Sequence, residues 1–375
     1  MGLRASDHGA VSLALRQRFG CTDALLTDSG TSALILALRK VVPPGGTVAY
    51  PAYACIDLTS AALGAGVHVR LYDVDPATLS PNLESVRAVL RRGVDAIVVA
   101  HLYGYPADMI GVRELAEEQG IPVIEDAAQG AGGTLHGGPL GGLGDVAILS
   151  FGRGKGTTGG SGGAILVRTP ALADWTRNVR KVLRVGSRGT SEVLSLAAQR
   201  LLSHPILYAL PASLPGLNLG EMVYHPPRQP RAMSGASSAI LRWTLQLEKR
   251  AVSERRALAT DLLSRVRQIP GVVGVRSIPG GESGYLRVAL IDRDGTRSPR
   301  ADLGALRGYP MTLDEHPQLH PLLLTGERAG KGSRFLRDNL FTAPVHSHVG
   351  QSDLASLTEW LNAGELESRD LAAAI

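Results

Sequence analysis

Lysine is scarce in this chain, so each lysine that replaces the usual arginine calls for a chemical reason. Only Lys40, Lys155, Lys181, Lys249 and Lys331 occur among 39 lysines and arginines. Lys155 lies in the glycine-rich run Ser150-Phe-Gly-Arg-Gly-Lys-Gly-Thr-Thr-Gly-Gly-Ser-Gly-Gly163. Arginine stays protonated and cannot form an imine, whereas a crowded lysine can lose its proton and attack a carbonyl carbon. Other segments carry groups that such chemistry uses. In Asp28-Ser-Gly-Thr-Ser-Ala-Leu34 a Gly-Thr-Ser turn opens a helical pattern that runs to Arg39. Its exposed N–H groups, with the hydroxyls of Thr31 and Ser32, suit a phosphate, although the same residues serve equally as a plain N-cap. Ile124-Glu-Asp-Ala-Ala-Gln129 stands where an apolar run ends. A carboxylate there can hold a ring N–H and keep it protonated, or cap the next turn. Glu125 and Asp126 point to opposite faces of a strand, and alternation alone leaves open which one meets a ligand. Ser150, five residues before Lys155, can bind the same phosphate across the Gly-Arg-Gly loop.

Groups so far apart in sequence need a scaffold that brings strand ends together. Short apolar runs supply it: Thr47–Tyr50, Val67–Tyr72, Val94–Ala100, Ile121–Glu125, Val146–Ser150 and Ala164–Val167. Bounded by Gly and Pro and separated by helical stretches such as Gly111 to Gln119, they predict strands buried on both faces and covered by helices. The expected fold class is α/β with a mainly parallel sheet. A chain of 375 residues suits two lobes, with a large domain over residues 1–240 and a smaller α+β domain over 241–375. Residues 181–230 read as an inserted excursion, because proline interrupts any helix in Leu201–Pro215 and Tyr224–Pro230. Its apolar residues suit a subunit or lobe surface better than a membrane. Ser234 to about Val266 reads as one long helix, Val272–Arg276 and Gly284–Ile291 as strands, and Gln351–Asn362 as a closing helix begun near Ser352 or Asp353.

Composition narrows the function classes. The formal charge of +5 is dispersed, without a lysine-rich arm, which argues against nucleic acid and is compatible with an anionic substrate. Cys21 and Cys55 make neither a disulfide framework nor a metal site. No signal peptide or spanning apolar run is read, so a soluble cytoplasmic protein is expected.

Taken in order and spacing over about residues 23 to 168, Ser29-Gly-Thr-Ser-Ala-Leu34, Pro51-Ala-Tyr-Ala-Cys55, His101-Leu-Tyr-Gly-Tyr-Pro-Ala-Asp108, Ile124–Gln129 and Gly144–Lys155 resemble the DegT/DnrJ/EryC1/StrS family of sugar aminotransferases dependent on pyridoxal 5'-phosphate. Leu340-Phe-Thr-Ala-Pro-Val-His346 resembles that family's C-terminal strand and turn. The resemblance implies fold type I, with a mainly parallel seven-stranded sheet and a smaller C-terminal domain, in a homodimer with sites at the subunit interface. It further implies that Lys155 carries the pyridoxal group as a Schiff base in a ping-pong reaction, Asp126 pairs with the pyridine nitrogen and Gln129 reaches the ring hydroxyl. Gly30, Thr31, Ser32 and Ser150 would hold the phosphate. The donor is expected to be glutamate and the acceptor a keto sugar linked to a nucleotide.

The chain also departs from the pattern. Cys55 occupies the position of the aromatic residue that stacks on the cofactor ring, so either Tyr53 or the Cys55 thiol is expected to face that ring. The Asn-Tyr-Arg-Met-like segment is reduced to Pro230-Arg-Ala-Met-Ser234. Arg153 is expected to meet an acceptor phosphate or donor carboxylate, or to bridge across the dimer. His346 would line the site or, with His348, end a strand. Two other functions fit these departures: a related dehydratase or other carbanion chemistry, and a non-catalytic scaffold. Dehydratases of this type commonly carry histidine in place of the lysine, so Lys155 argues against them.

Overall fold

Short β-rich runs alternating with amphipathic helices build a layered structure, because each strand buries both faces only when helices cover the sheet on either side. The computed structural model describes residues 2–184, 224–295 and 297–373. Most of the 181–230 excursion, including Leu201–Pro215, lies outside the described residues. In chain order the elements are α1 (Gly2–Phe19), β1 (Asp23–Thr27), α2 (Gly30–Val41), β2 (Thr47–Pro51), α3 (Asp57–Ala65), β3 (His68–Tyr72), α4 (Leu83–Arg91), β4 (Ala96–Ala100), α5 (Met109–Glu117), β5 (Val123–Asp126), β6 (Thr134–Leu135), β7 (Gly138–Pro139), β8 (Val146–Ser150), β9 (Gly163–Val167) and α6 (Pro170–Val182). After the undescribed segment come α7 (Gly235–Val266), β10 (Val272–Gly274), β11 (Gly281–Glu282), β12 (Val288–Asp292), β13 (Leu306–Arg307), α8 (Lys331–Asn339), β14 (Leu340–Ala343) and α9 (Gln351–Ala373).

The main sheet has seven strands in the order β1-β9-β8-β5-β4-β2-β3. Only β9 runs antiparallel to its neighbours, β1 and β8; the remaining pairs are parallel. Helices α2 and α3 pack Leu34, Ile35, Leu38 and Ala61 on one face. Helices α4 and α5 pack Val86, Leu90, Val112 and Leu115 on the other. A second sheet, β10-β12-β14-β13, packs against the end of α7 through Leu262 and Val266 and against α9 through Leu354 and Leu357. Helix α7 crosses residue 240: its Leu241 is buried with Leu149 and Leu166 of the main sheet, while Leu262 belongs to the second core. Ser234 caps it by accepting the Ser237 N–H at 3.0 Å.

Some elements differ from their sequence reading. The apolar runs do not mark strand β1 or helix α1, because Ala24-Leu-Leu26 is short and, among its described side chains, α1 buries only Val11 and Leu15. Strand β12 starts at Val288 rather than Gly284, since Tyr285 takes a left-handed φ of 45° and the Gly284 N–H donates to Gly104 instead of a sheet neighbour. Helix α9 starts at Gln351 and runs well past Asn362; Asp353 accepts the Gly350 N–H at 2.7 Å ahead of the first turn. Among the described residues no helix is long and apolar enough to cross a membrane.

Candidate active site

The carboxyl ends of β1, β4, β5 and β8 lie side by side, the place where parallel sheets present loops and helix starts to ligands. A cavity of about 710 Å³ opens there. Lys155, Asp126, Gln129 and Ser150 line it, as do Gly30, Thr31 and Ser32 at the start of α2.

The α2 end is a built anion cradle. Ser29 caps the helix, accepting the Ser32 N–H at 3.0 Å, and its hydroxyl donates to Ser32 Oγ at the same distance. A Cβ at Gly30 would fall 2.8 Å from Ser150 Cβ, so only glycine lets the helix start approach the end of β8 this closely. Gly30 and Thr31 at the positive end of α2 line the cavity together with the hydroxyl-bearing Ser32 and Ser150, a set that suits a phosphate.

Across the cavity, β5 sends two adjacent carboxylates in opposite directions. Glu125 is fully buried away from the cavity. His101 Nε2 donates to it at 2.9 Å, while the Ala107 N–H donates to His101 Nδ1 and so sets the tautomer. The N–H groups of Gly141, Leu143 and Gly144 complete the cage. Burial alone would raise the Glu125 pKa, but the His101 hydrogen bond and these N–H groups outweigh it and hold the carboxyl below its ordinary range. Asp126 lines the cavity and, among the described residues, accepts only the Ala128 N–H, at 3.0 Å. Burial raises its pKa, opposed by that N–H and by the charge of Lys155. Asp126 thus lies within the field of the amine and has acceptor capacity to spare for a ring N–H.

The walls that would flank a planar ring differ from the sequence expectation. Cys55 lines the cavity, its thiol pushed up to about 12 by burial. Tyr53 does not line it: fully buried behind the wall, it accepts the Tyr309 N–H at 2.9 Å and lies 3.3 Å, oxygen to oxygen, from Tyr103. Strand alternation would put residues 53 and 55 on one face, but the chain bends at residues 52–54 after β2, so Tyr53 turns inward against Tyr103 and Tyr309 while Cys55 meets the cavity. Tyr309 lines the cavity instead, its ring stacked on Tyr103 with centroids 5.2 Å apart. Gln129 accepts the Tyr103 N–H through Oε1 at 2.7 Å and donates to the Tyr309 hydroxyl at 2.7 Å, leaving one amide hydrogen for a ligand.

At the mouth stand the exposed Arg153, Arg228, Arg231 and His225, and Asp28 and Asp57 line the same cavity. The segment from His225 to Ser234 contributes to the cavity wall, fixed where Ser60 donates to the His225 carbonyl at 2.6 Å, where the Asp28 N–H donates to the Arg231 carbonyl at 2.9 Å and where the Arg231 N–H donates to the Asp28 carboxylate at 3.2 Å. His346 lies away from the cavity with His348, their rings 5.9 Å apart on the turn after β14. That turn follows a strand of the second sheet, and His346 is not among the residues lining the cavity, so of its two expected places it takes the strand end rather than the site. Sequence reasoning gave no role to Tyr309, His101, Asp57, Arg228 or Arg231; the motif over residues 101–108 and the basic pair in the Pro-rich Tyr224–Ser234 stretch were the available signals.

A profile of the DegT/DnrJ/EryC1/StrS aminotransferase family matches residues 12–204. The chain is 30% identical over 285 residues to the L-glutamine:2-deoxy-scyllo-inosose aminotransferase of Streptomyces fradiae, covering 76% of this chain and 60% of that protein. It is 36% identical over 154 residues to a UDP-N-acetyl-3-dehydro-alpha-D-glucosamine 3-aminotransferase of Acidithiobacillus ferrooxidans, covering 40% and 42%. These matches therefore span less than two thirds of either relative. The crystal structure of the aminotransferase TlmJ from Streptoalloteichus hindustanus superimposes with a TM-score of 0.74 at 22% identity, covering 98% of this chain and 91% of that one, a likeness of fold.

Proposed function

The chain belongs to the DegT/DnrJ/EryC1/StrS aminotransferase family, and from that premise we propose that it is a pyridoxal 5'-phosphate-dependent aminotransferase acting on a ketone, with residues 1–240 as its large and 241–375 as its small domain. One observation carries this reading: Lys155 and Asp126 line one cavity, whose far end is a glycine-lined phosphate cradle. An amine, an acid and an anion cup so arranged fit the aldehyde, ring nitrogen and phosphate of that cofactor. When bound, the pyridoxal group supplies an electron sink for the carbanion left as an amino acid loses its α-proton.

The chain's own residues do the rest. Thr31, Ser32, Ser150 and the N–H of Gly30 would hold the phosphate, and Asp126 would accept a hydrogen bond from the ring N–H. Gln129, fixed at both ends by Tyr103 and Tyr309, would have one N–H left for the ring oxygen. Lys155 would hold the aldehyde end, and its Nζ is the base that would move the α-proton of the amino acid.

For the acceptor, the cations at the mouth favour an anionic group, as in a nucleotide-linked keto sugar. The name of the Streptomyces fradiae relative adds an uncharged cyclitol ketone and glutamine to the acceptors and donors worth testing. We further infer a homodimer acting in the cytoplasm; light scattering on the purified protein tests the first. Purified protein incubated with pyridoxal phosphate should absorb as an imine, lose that band on borohydride reduction and yield a labelled Lys155 peptide. Glutamate should be converted to 2-oxoglutarate, one turnover per site without acceptor. Bound cofactor with no amine transfer from any donor would point to other carbanion chemistry, and failure to take up cofactor would leave a scaffold.

A further inference from the structure

The Lys155 loop is built from residues that do not hold a shape by themselves. Gly152, Gly154, Gly156, Gly159, Gly160 and Gly162 leave it with large conformational freedom, so its geometry must be imposed from outside. Helix α7 does this at three levels. Ser237 Oγ lies 3.0 Å from Ser161 Oγ. Thr244 donates to the Thr158 carbonyl at 2.7 Å. Nearest to Lys155, Arg255 Nη1 donates to the Gly156 carbonyl at 3.3 Å.

Arg255 is only 7% exposed and, among the described residues, pairs with no carboxylate. Its other donors go to the Ala131 carbonyl at 3.0 Å, two residues past Gln129, and to the Gly284 carbonyl at 2.9 Å, at the edge of the second lobe. One planar fork thus joins the loop bearing Lys155, the loop after Asp126 and the second lobe. Glycine permits this meeting: a Cβ at Gly156 would lie 2.8 Å from Ala131 Cβ and 3.3 Å from Arg255 Nη2. The neighbouring Arg256 makes a similar clamp on the Gly132 and Ser283 carbonyls, both at 3.0 Å, yet does not touch the Lys155 loop.

We propose that Arg255 is a positioning residue that sets the reach of the Lys155 amine toward Asp126 by pinning the Gly156 carbonyl to the loop after Gln129. A lysine cannot replace it, because a single ammonium does not span three carbonyls in the plane of a fork. The proposal deepens the aminotransferase reading in its second arm only.

Two measurements test it on Arg255→Lys and Arg255→Met, with Arg256→Lys as the matched control. In the first, hydrogen exchange is followed on the protein without cofactor. Both Arg255 variants should speed exchange of the amides of residues 154–160 by about tenfold or more, the size expected when a charge-assisted hydrogen bond is lost, and Arg256→Lys should not. In the second, the pyridoxal phosphate concentration that half-saturates borohydride trapping on Lys155 should rise about tenfold in the Arg255 variants alone. Should Arg255→Met fail to fold, Gly156→Ala, whose methyl displaces the same carbonyl, should reproduce Arg255→Lys. Wild-type exchange and trapping in Arg255→Lys, or equal changes in Arg255→Lys and Arg256→Lys, would overturn the proposal. A wild-type protein that never traps the cofactor would instead sink the aminotransferase reading, while the exchange arm still judges the role of Arg255.

Discussion

Glu125 and Asp126 are neighbours on one strand, yet they stand in opposite electrostatic worlds. On the sealed side of β5, Glu125 meets His101 and three backbone N–H groups, and the loop that supplies them is itself held where Arg168 donates to the Gly141 and Gly144 carbonyls at 2.7 Å. On the open side Asp126 keeps, among the described residues, one protein donor and lies in the field of Lys155. A buried carboxylate with every acceptor site satisfied stabilises the fold, whereas one left short of donors stores unfavourable free energy that a ligand N–H can relieve. Donor count around the acid, rather than burial, separates the structural carboxylate from the functional one.

The sharpest way to break the contrast lies on the open side. Lys155→Ala should abolish amine transfer and borohydride trapping together, with thermal stability near wild type. Asp126→Asn should lower the rate of 2-oxoglutarate formation by about a hundred- to a thousand-fold, as for other preorganised electrostatic partners, again with little loss of stability. On the sealed side the effects should invert. Glu125→Gln places an amide N–H among donors and should cost on the order of 3 kcal/mol in denaturant unfolding, while any enzyme that remains folded binds cofactor normally.

The pH dependence of stability sharpens the same comparison through its sign. The lowered Glu125 pKa contributes stability above its ordinary value of 4.5 that is lost as pH falls through the folded-state value, so the deficit of Glu125→Gln against wild type should shrink on acidification. The raised Asp126 pKa works the other way. The contribution of Asp126 to the stability of the cofactor-free protein should fall as pH rises from the ordinary 3.8 through the raised folded-state value, so wild type should lose stability relative to Asp126→Asn over that range. Unfolding curves from pH 3 to 8 on cofactor-free protein would check both; parallel profiles for the two variants would refute the distinction. The smallest effect is expected for Tyr309→Phe. It removes one hydrogen bond to Gln129, worth about 1 kcal/mol, and should weaken cofactor affinity several-fold in a titration.

How far the site could be read along the chain depended on where each group came from. Gly30, Thr31, Ser32 and Ser150 sit at the ends of regular elements, where helix starts and strand ends show in residue types over a few positions; Lys155 stood out by its rarity in a glycine-rich run, and Asp126 was preferred to Glu125 only through the family resemblance. Tyr309 and Arg255 carried no such mark: a tyrosine before a proline and an arginine in a charged helix look ordinary until the second lobe docks. Tyr53 shows the same limit in reverse, since its position beside Cys55 suggested a ring contact that packing against Tyr103 and Tyr309 takes away. His346 was drawn to the site by its place after the last strand, but that strand belongs to the other sheet.

The order of apolar runs, the glycines of the Lys155 loop and the helix start at Ser29 determined an α/β sheet with chemistry at its carboxyl edge, because these features act through bonds a few residues long. Which carboxylate of Glu125 and Asp126 is caged, which aromatic walls the cavity and what steadies the lysine were decided only by the folded chain. Each depends on donors and rings that arrive from elements tens to hundreds of residues away, and short-range residue patterns carry no record of those distances.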